Sequence, residues 1–278
     1  MSCGGQGNSA TQDASQTSQE AVETPKSETP SAQTPSPSDQ LVQQQDDDSP
    51  KTLEDEPLPA EVVKEAYTVP KELKYYKESD SYIFEKFYPI GWSKDGHFAY
   101  VVEPADEAAG LYFFQLVIRN MISDKDVYVW KPEDEMESGS VRQVWKDNQM
   151  SFAAKLNEYK IVPDNNIKLL GTEFNTANNK YKVTIENKME TEPDFGFEVV
   201  KTTNIFIKSP ELGVKQIFSY TENDANICLG RIVQGVIKSP FEERVAVLVR
   251  TEECGYEGPP NVIKTFLVGS DLERSFKK

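Results

Sequence analysis

The stretch Ile90-Gly91-Trp92-Ser93-Lys94-Asp95-Gly96-His97-Phe98-Ala99-Tyr100-Val101 constrains this chain more than any other. It reads as strand, tight turn, strand. Ser93-Lys94-Asp95-Gly96 is the turn: Asp95 is placed to hydrogen-bond nearby backbone, and Gly96 takes the φ > 0 position without steric cost. The flanks are aromatic and β-branched, as a pleated, half-buried surface prefers. The pattern returns in damaged form at Ile207–Gly213 and more fully at Val236–Val247, where Ser239-Pro240-Phe241-Glu242-Glu243 is the turn. One hairpin grammar used repeatedly points to a mainly β architecture.

The N-terminal part cannot share that architecture. Residues 1–66 contain no aromatic residue, and Ser, Thr, Gln, Pro, Asp and Glu dominate them. Such a segment buries too little apolar surface to offset the entropy of ordering. Residues 1–60 therefore read as a disordered acidic tether, and 61–278 as a single folded domain. Residues 1–59 hold eleven acidic and two basic side chains, which is −9 of the formal −16, so the remainder carries −7. Neither part offers a Lys/Arg-rich run, which argues against nucleic acid and anionic membrane surfaces as partners. No stretch approaches the ~18 apolar residues that span a bilayer.

The start, Met1-Ser2-Cys3-Gly4-Gly5 followed by the long polar tether, resembles that of a mature bacterial lipoprotein, in which a small residue precedes a Cys that is acylated after signal removal. The resemblance implies export, lipidation of Cys3 and anchoring without a spanning helix. The hydrophobic part of the lipidation signal is not in the sequence.

Along the domain, Pro59–Ala66 has the makings of one or two helical turns. Strand patterns fill 84–130 as a four-stranded meander, in which Tyr112, Phe114, Leu116 and Ile118 share one face. Pro132–Glu137 is an acidic loop. Ser140 and Gln143 fit a capping box, and Val141, Trp145, Phe152, Leu156 and Tyr159 recur at helical spacing, so a helix is expected over about 141–161, ending before Pro163. Beyond it the chain is β again to about 268, and the uniformly apolar Val245-Ala246-Val247-Leu248-Val249 calls for a strand covered on both faces. The expected fold is mainly β with one long α-helix: two blade-like antiparallel sheets, over about 84–130 and 180–268, arranged propeller-like or sandwich-like, behind the disordered tether. At about 42 residues per blade, roughly 200 residues make at most five blades and the helical insert removes one, so a closed propeller is not the expected arrangement.

Three cysteines are present. If the hairpin over 228–254 turns near Phe241, Cys228 falls opposite Cys254, at a separation a disulfide can span. Such a bridge would stabilise the fold by roughly 3–4 kcal/mol in the chain-entropy model. The alternative is two thiols that never bond.

Catalytic signatures are missing. The one histidine, His97, follows a tight turn and fits a structural role. There is no Gly-x-Ser-x-Gly elbow, no Cys-x-x-Cys or His-x-x-x-His pair for zinc, and no phosphate-cradling glycine loop, so no cofactor or metal is expected. Paired carboxylates could serve a glycosidase, but forty-six acidic residues make candidate pairs uninformative. The loop Tyr256-Glu257-Gly258-Pro259-Pro260 is the best candidate binding loop: its glycine and prolines hold an unusual backbone path that presents a tyrosine, a common interface anchor. A rigid connector whose tyrosine packs on the sheet is the plainer reading.

Two further resemblances rest on quoted motifs. Trp92-Ser93-Lys94-Asp95-Gly96-His97-Phe98-Ala99-Tyr100 resembles the hairpin of TolB-like and prolyl-oligopeptidase propellers, and Ser239-Pro240 with Arg244-Val245-Ala246-Val247 a degenerate copy of it. In combination with the helix and Gly255-Tyr256-Glu257-Gly258-Pro259, these segments resemble a family of predicted secreted bacterial proteins of unknown function. That likeness implies export and fold and transfers no catalytic residue. The expected function is an envelope-tethered lipoprotein domain that binds a protein or glycan without catalysis; the alternative is a carboxylate-based hydrolase acting on envelope glycan.

Overall fold

The computed structural model describes residues 67–105, 111–134, 136–193, 196–222, 227–255 and 258–278. Among them the chain forms thirteen strands and one helix. They are β1 (Tyr82–Phe84), β2 (Lys86–Trp92), β3 (His97–Glu103), β4 (Gln115–Asn120), β5 (Lys125–Trp130), α1 (Val141–Glu158), β6 (Val162–Pro163), β7 (Glu173–Asn175), β8 (Lys180–Thr191), β9 (Glu198–Ser209), β10 (Gly213–Thr221), β11 (Cys228–Lys238), β12 (Arg244–Glu253) and β13 (Asn261–Asp271). The mainly β class with one long helix is as expected.

The strands make three sheets rather than two. The helix-side sheet has the order β5-β4-β3-β2-β6, the middle sheet β1-β13-β12-β11 and the outer sheet β10-β9-β8-β7. Each is built on an antiparallel meander of consecutive strands, so the repeated hairpin grammar is borne out. The 180–268 region divides because Val245–Val249 is apolar on both sides and every one of those residues is buried. A strand of that kind needs two covers, so the β11–β13 meander lies between the other two sheets instead of extending one.

Side-chain alternation assigns the layers. On β3, Ala99 and Val101 face α1, and Phe98, Tyr100 and Val102 face the middle sheet. On β12, Ala246 and Leu248 meet the helix-side sheet, and Val245, Val247 and Val249 meet Tyr181, Val183, Ile205 and Ile207 of the outer sheet. A bulge between Pro89 and Gly91 resets the phase of β2. Tyr88 and Ile90 face the helix, and beyond the bulge Trp92 turns instead to the sheet–sheet layer. The stack ends at α1 on one side and at the polar far face of the outer sheet on the other.

α1 starts where expected. Ser140 caps it, its Oγ accepting from Gln143 N at 3.2 Å. Only half of the capping box forms, because the Gln143 side chain donates to Asp147 instead. No acidic residue stands in its first turn. Val141, Val144, Trp145, Phe152, Ala153 and Leu156 form its buried face, and Asn148, at an expected apolar position, satisfies itself by donating to Val144 O. The helix ends at Glu158, three residues early: Lys160 adopts φ 52°, Ile161 turns in to join the core, and Pro163 belongs to β6, opposite Gly91.

The pairing of β1 with β13 leaves no mark in the local sequence pattern. It is parallel, Tyr82 opposite Asn261 and Phe84 opposite Ile263, and it completes the middle sheet with the first strand of the domain.

Candidate functional site

The turns sort the molecule into two ends. At one end, three buried serines close the hairpins. Ser93 Oγ accepts from His97 N at 3.1 Å, Ser239 Oγ from Phe241 N at 3.2 Å and Ser209 Oγ from Leu212 N at 3.4 Å. Gly96 takes the left-handed position expected of it, φ 77°. Asp95 does not play its expected part: it is exposed and makes no hydrogen bond among the described residues, because the Ser93 hydroxyl already occupies the inside of the turn.

His97 belongs to this structural end. Its ring lies 3.3 Å from Ser93 Oγ and 3.4 Å from Asn120 Nδ2, with Tyr159 edge-on at 5.4 Å. Desolvation lowers its pKa. Among the described residues its side chain hydrogen-bonds to no carboxylate, although the Asp95 charge acts on it from a distance, and Ser93 is fully buried as a turn acceptor. This pair lacks the orienting acid and the accessible hydroxyl that nucleophilic catalysis requires.

The opposite end of the middle and outer sheets holds a cleft of about 430 Å³. Its lining converges from six segments. Ser81 and Tyr82 come from the start of β1, Asn261 from β13, Glu252 from β12, Leu229 from β11, Phe197 and Glu198 from the start of β9, and Pro259 from the loop after β12. Backbone bonds tie the floor together, Asn261 N donating to Ser81 O at 3.1 Å. The loop is tight: a Cβ on Gly255 would stand 2.1 Å from Gly258 O.

Two carboxylates enter this cleft from different sheets. Glu252 is held, its Oε1 accepting from Asn261 Nδ2 at 3.0 Å and its Oε2 3.8 Å from the Arg250 guanidinium. Arg250 also lies 5.8 Å from the Tyr82 ring centroid, and Tyr82 packs on Phe84, which stacks on Tyr76 at 4.0 Å. Asn261 Oδ1 is buried without a partner among the described residues. Glu198 is exposed at the cleft mouth. The arrangement offers carboxylate and amide acceptors, a hydroxyl, and two aromatic residues within one concavity. That suits a ligand with several hydroxyls and an apolar face.

Of the residues singled out in sequence, Gly258 and Pro259 belong to this loop, and Pro259 lines the cleft. Tyr256, Glu257 and Cys3 lie outside the described residues. Tyr82, Glu198, Glu252 and Asn261 were not legible as a group, since sheet register alone brings them together. The cysteine expectation is corrected. Cys228 stands opposite Glu253, not Cys254, because bulges at Cys228–Gly230 and Val233–Gly235 shift the register. No disulfide joins the two thiols. Cys228 is buried, its Sγ 3.6 Å from Gly230 O, and burial pushes its pKa up. Among the described residues, no group of three or more His, Cys, Asp or Glu side chains is placed to hold a metal ion.

Compared with protein-family models, curated proteins and solved structures, the chain matches none.

Proposed function

We propose that this chain is a tethered binding domain of the bacterial envelope, lipid-anchored through Cys3, that holds a glycan in the cleft without turning it over. The observation that carries this reading is the convergence of Glu252, Asn261, Tyr82 and Phe197 on one cleft. Carboxylate and amide groups pair with vicinal hydroxyls, and aromatic rings pack on the C–H face of a sugar. The Cys3 start and the polar tether supply the anchoring part of the proposal. Among the described residues, no helix is long and apolar enough to cross a membrane, which is compatible with a lipid anchor.

The test is calorimetric titration of the full chain with soluble cell-wall glycan fragments, together with measurement of new reducing ends. Binding without release is the expected result, and Glu252→Gln should weaken it. For the anchor, mass spectrometry of membrane-extracted protein expressed from the native gene start should find an acylated Cys3; an unmodified Cys3 defeats that part.

A second reading has one observation in its favour: Glu198 and Glu252 both line the cleft, and a glycoside hydrolase works with two carboxylates flanking the scissile bond. Release of reducing ends that Glu198→Gln abolishes would replace the binding reading with this one.

A further inference from the structure

The far face of the outer sheet carries a feature that the cleft does not explain. Lys182 and Lys208 stand directly opposite each other in the β8–β9 pairing, so both side chains leave the same face. Lys180 shares that face, two residues away. These lysines line an open groove of about 680 Å³ that crosses all four strands and includes Glu173, Asn175 and Ser209. At the β10 edge of the groove, the backbones of Val214 and Lys277 bond to each other, N to O and O to N, both at 2.9 Å.

The charges do not balance. Glu173 answers Lys182 at 2.6 Å. Glu211, in the adjoining turn, accepts from Lys180 N at 3.4 Å, and its pKa is held down by the Ser209 hydroxyl bond first and in smaller part by the Lys180 charge. Among the described residues, the ammonium groups of Lys180 and Lys208 make no ion pair. Like charges directly opposed across strands destabilise a sheet. Elsewhere in this pairing the charged residues face neutral ones, Glu186 opposite Asn204 and Lys188 opposite Thr202. Lys208 is exposed, so packing gives no reason for a lysine there.

We propose that this groove is a second binding site, for an anionic polysaccharide carrying carboxylate or phosphate groups. A chain of net charge −16 repels polyanions at long range, so affinity for one must come from this local set of lysines. A furrow across a sheet fits an extended polymer better than the plane of a bilayer. Single-stranded nucleic acid would want exposed rings to stack on, whereas the two aromatic residues here, Phe174 and Tyr181, are buried and stacked on each other at 5.4 Å. The proposal does not rest on the cleft.

The experiment is affinity measurement at low salt between the full chain and polygalacturonate, poly(glycerol phosphate), neutral dextran, phosphatidylglycerol vesicles and single-stranded DNA. Binding of one or both anionic polymers is expected, with the first two arms telling carboxylate from phosphate. The Lys182→Gln/Lys208→Gln double variant should weaken it about tenfold or more, with a melting temperature no lower than the parent's because the opposed charges are gone, and Lys182→Arg/Lys208→Arg should retain it. Glu252→Gln in the cleft should leave it unaltered. No binding of either polymer, binding that survives the glutamine variant, loss with Glu252→Gln, or equal binding of dextran each overturns the proposal. Tighter binding of vesicles or DNA overturns it in favour of that partner.

Discussion

Arg231 and Glu222 form an ion pair enclosed between the middle and outer sheets, with 8% and 6% of their side chains exposed. Arg231 also donates through Nε to Thr251 Oγ1 at 3.2 Å and through Nη1 to Thr203 Oγ1 at 3.0 Å. The rings of Tyr220 and Phe266 flank it at 5.8 and 5.6 Å. Thr203 passes the network on to Asn187, whose amide donates to Arg231 O. Removing the carboxylate leaves a buried cation with neutral partners alone. Glu222→Ala should therefore cost about 3–5 kcal/mol, read as a lower denaturant midpoint at unchanged slope. Replacing both partners by apolar residues, Arg231→Met with Glu222→Leu, should recover much of that loss, since no charge is then left buried. If the single change costs less than about 1 kcal/mol, the range of an exposed pair, the site is wetter than its burial implies.

This pair marks a limit of what the sequence discloses. The meander over 84–130, the helix start at Ser140 and the doubly covered strand at Val245–Val249 were legible because each follows from local periodicity. Pairings between segments far apart were not. Arg231 reads as an ordinary strand charge and Glu222 as a loop carboxylate, outside β10, and Tyr82, Glu198, Glu252 and Asn261 as scattered residues. The lysine groove carries the same lesson. A search for basic runs finds none, yet the β8–β9 register sets Lys182 opposite Lys208, with Lys180 two residues along the same face. The misjudged cysteine register has a related cause, because two bulges break the constant index sum on which the expectation depended.

Glu85 should make stability depend on pH in an unusual direction. It follows β1, and its Oε1 accepts from both the backbone N, at 2.9 Å, and the hydroxyl of Thr265. Burial pushes its pKa up from 4.5 to about 7, against the smaller opposing pull of the Thr265 bonds and Lys264. Well below pH 4.5 the folded and unfolded chains both hold the proton, and nothing is lost. Between pH 4.5 and 7 the unfolded chain releases it while the folded chain keeps it, so stability falls as pH rises. Above 7 the loss is complete, at about 3 kcal/mol. Asp124 is pushed up by burial as well and adds to the same slope. Glu85→Gln should thus stabilise the protein at pH 8 and have little effect near pH 4. Equal effects at both values would show that Glu85 does not titrate in this window.

The junction between the helix-side and middle sheets offers a sharper mechanical test. Gly269 on β13 approaches Met121 so closely that a Cβ would stand 2.0 Å from Met121 O. The same glycine donates its N–H to Asp124 Oδ1 at 2.6 Å, and Arg244 reaches Met121 O through Nη1 at 3.2 Å. A methyl group here meets the Met121 backbone and cannot be relieved by a rotamer change. Gly269→Ala should cost at least the ~1–3 kcal/mol of ordinary overpacking. Gly196→Ala is a useful contrast, since its Cβ would meet nothing within 4 Å while its φ of 70° still disfavours alanine. A smaller loss at Gly269 than at Gly196 would mean that the sheets separate there at little cost.

The cysteines supply the last expectation. A bridge between Cys228 and Cys254 would constrain the β11–β12 hairpin and add roughly 3–4 kcal/mol. The register instead sets Cys228 against Glu253, and the two residues are not joined. Purified protein that has never met reductant should therefore show thiols at both positions once denatured, counted separately from Cys3 in a Cys3→Ser background. Its melting temperature should be the same with and without dithiothreitol. Cys228→Ser should still destabilise, by about 1–3 kcal/mol, because it exchanges a buried sulfur for a hydroxyl that needs a hydrogen-bond partner. Cys254→Ser, at a half-buried position, should cost less. A fall of several degrees on reduction would show that the bridge forms after all and that the end of this hairpin shifts by one residue to admit it.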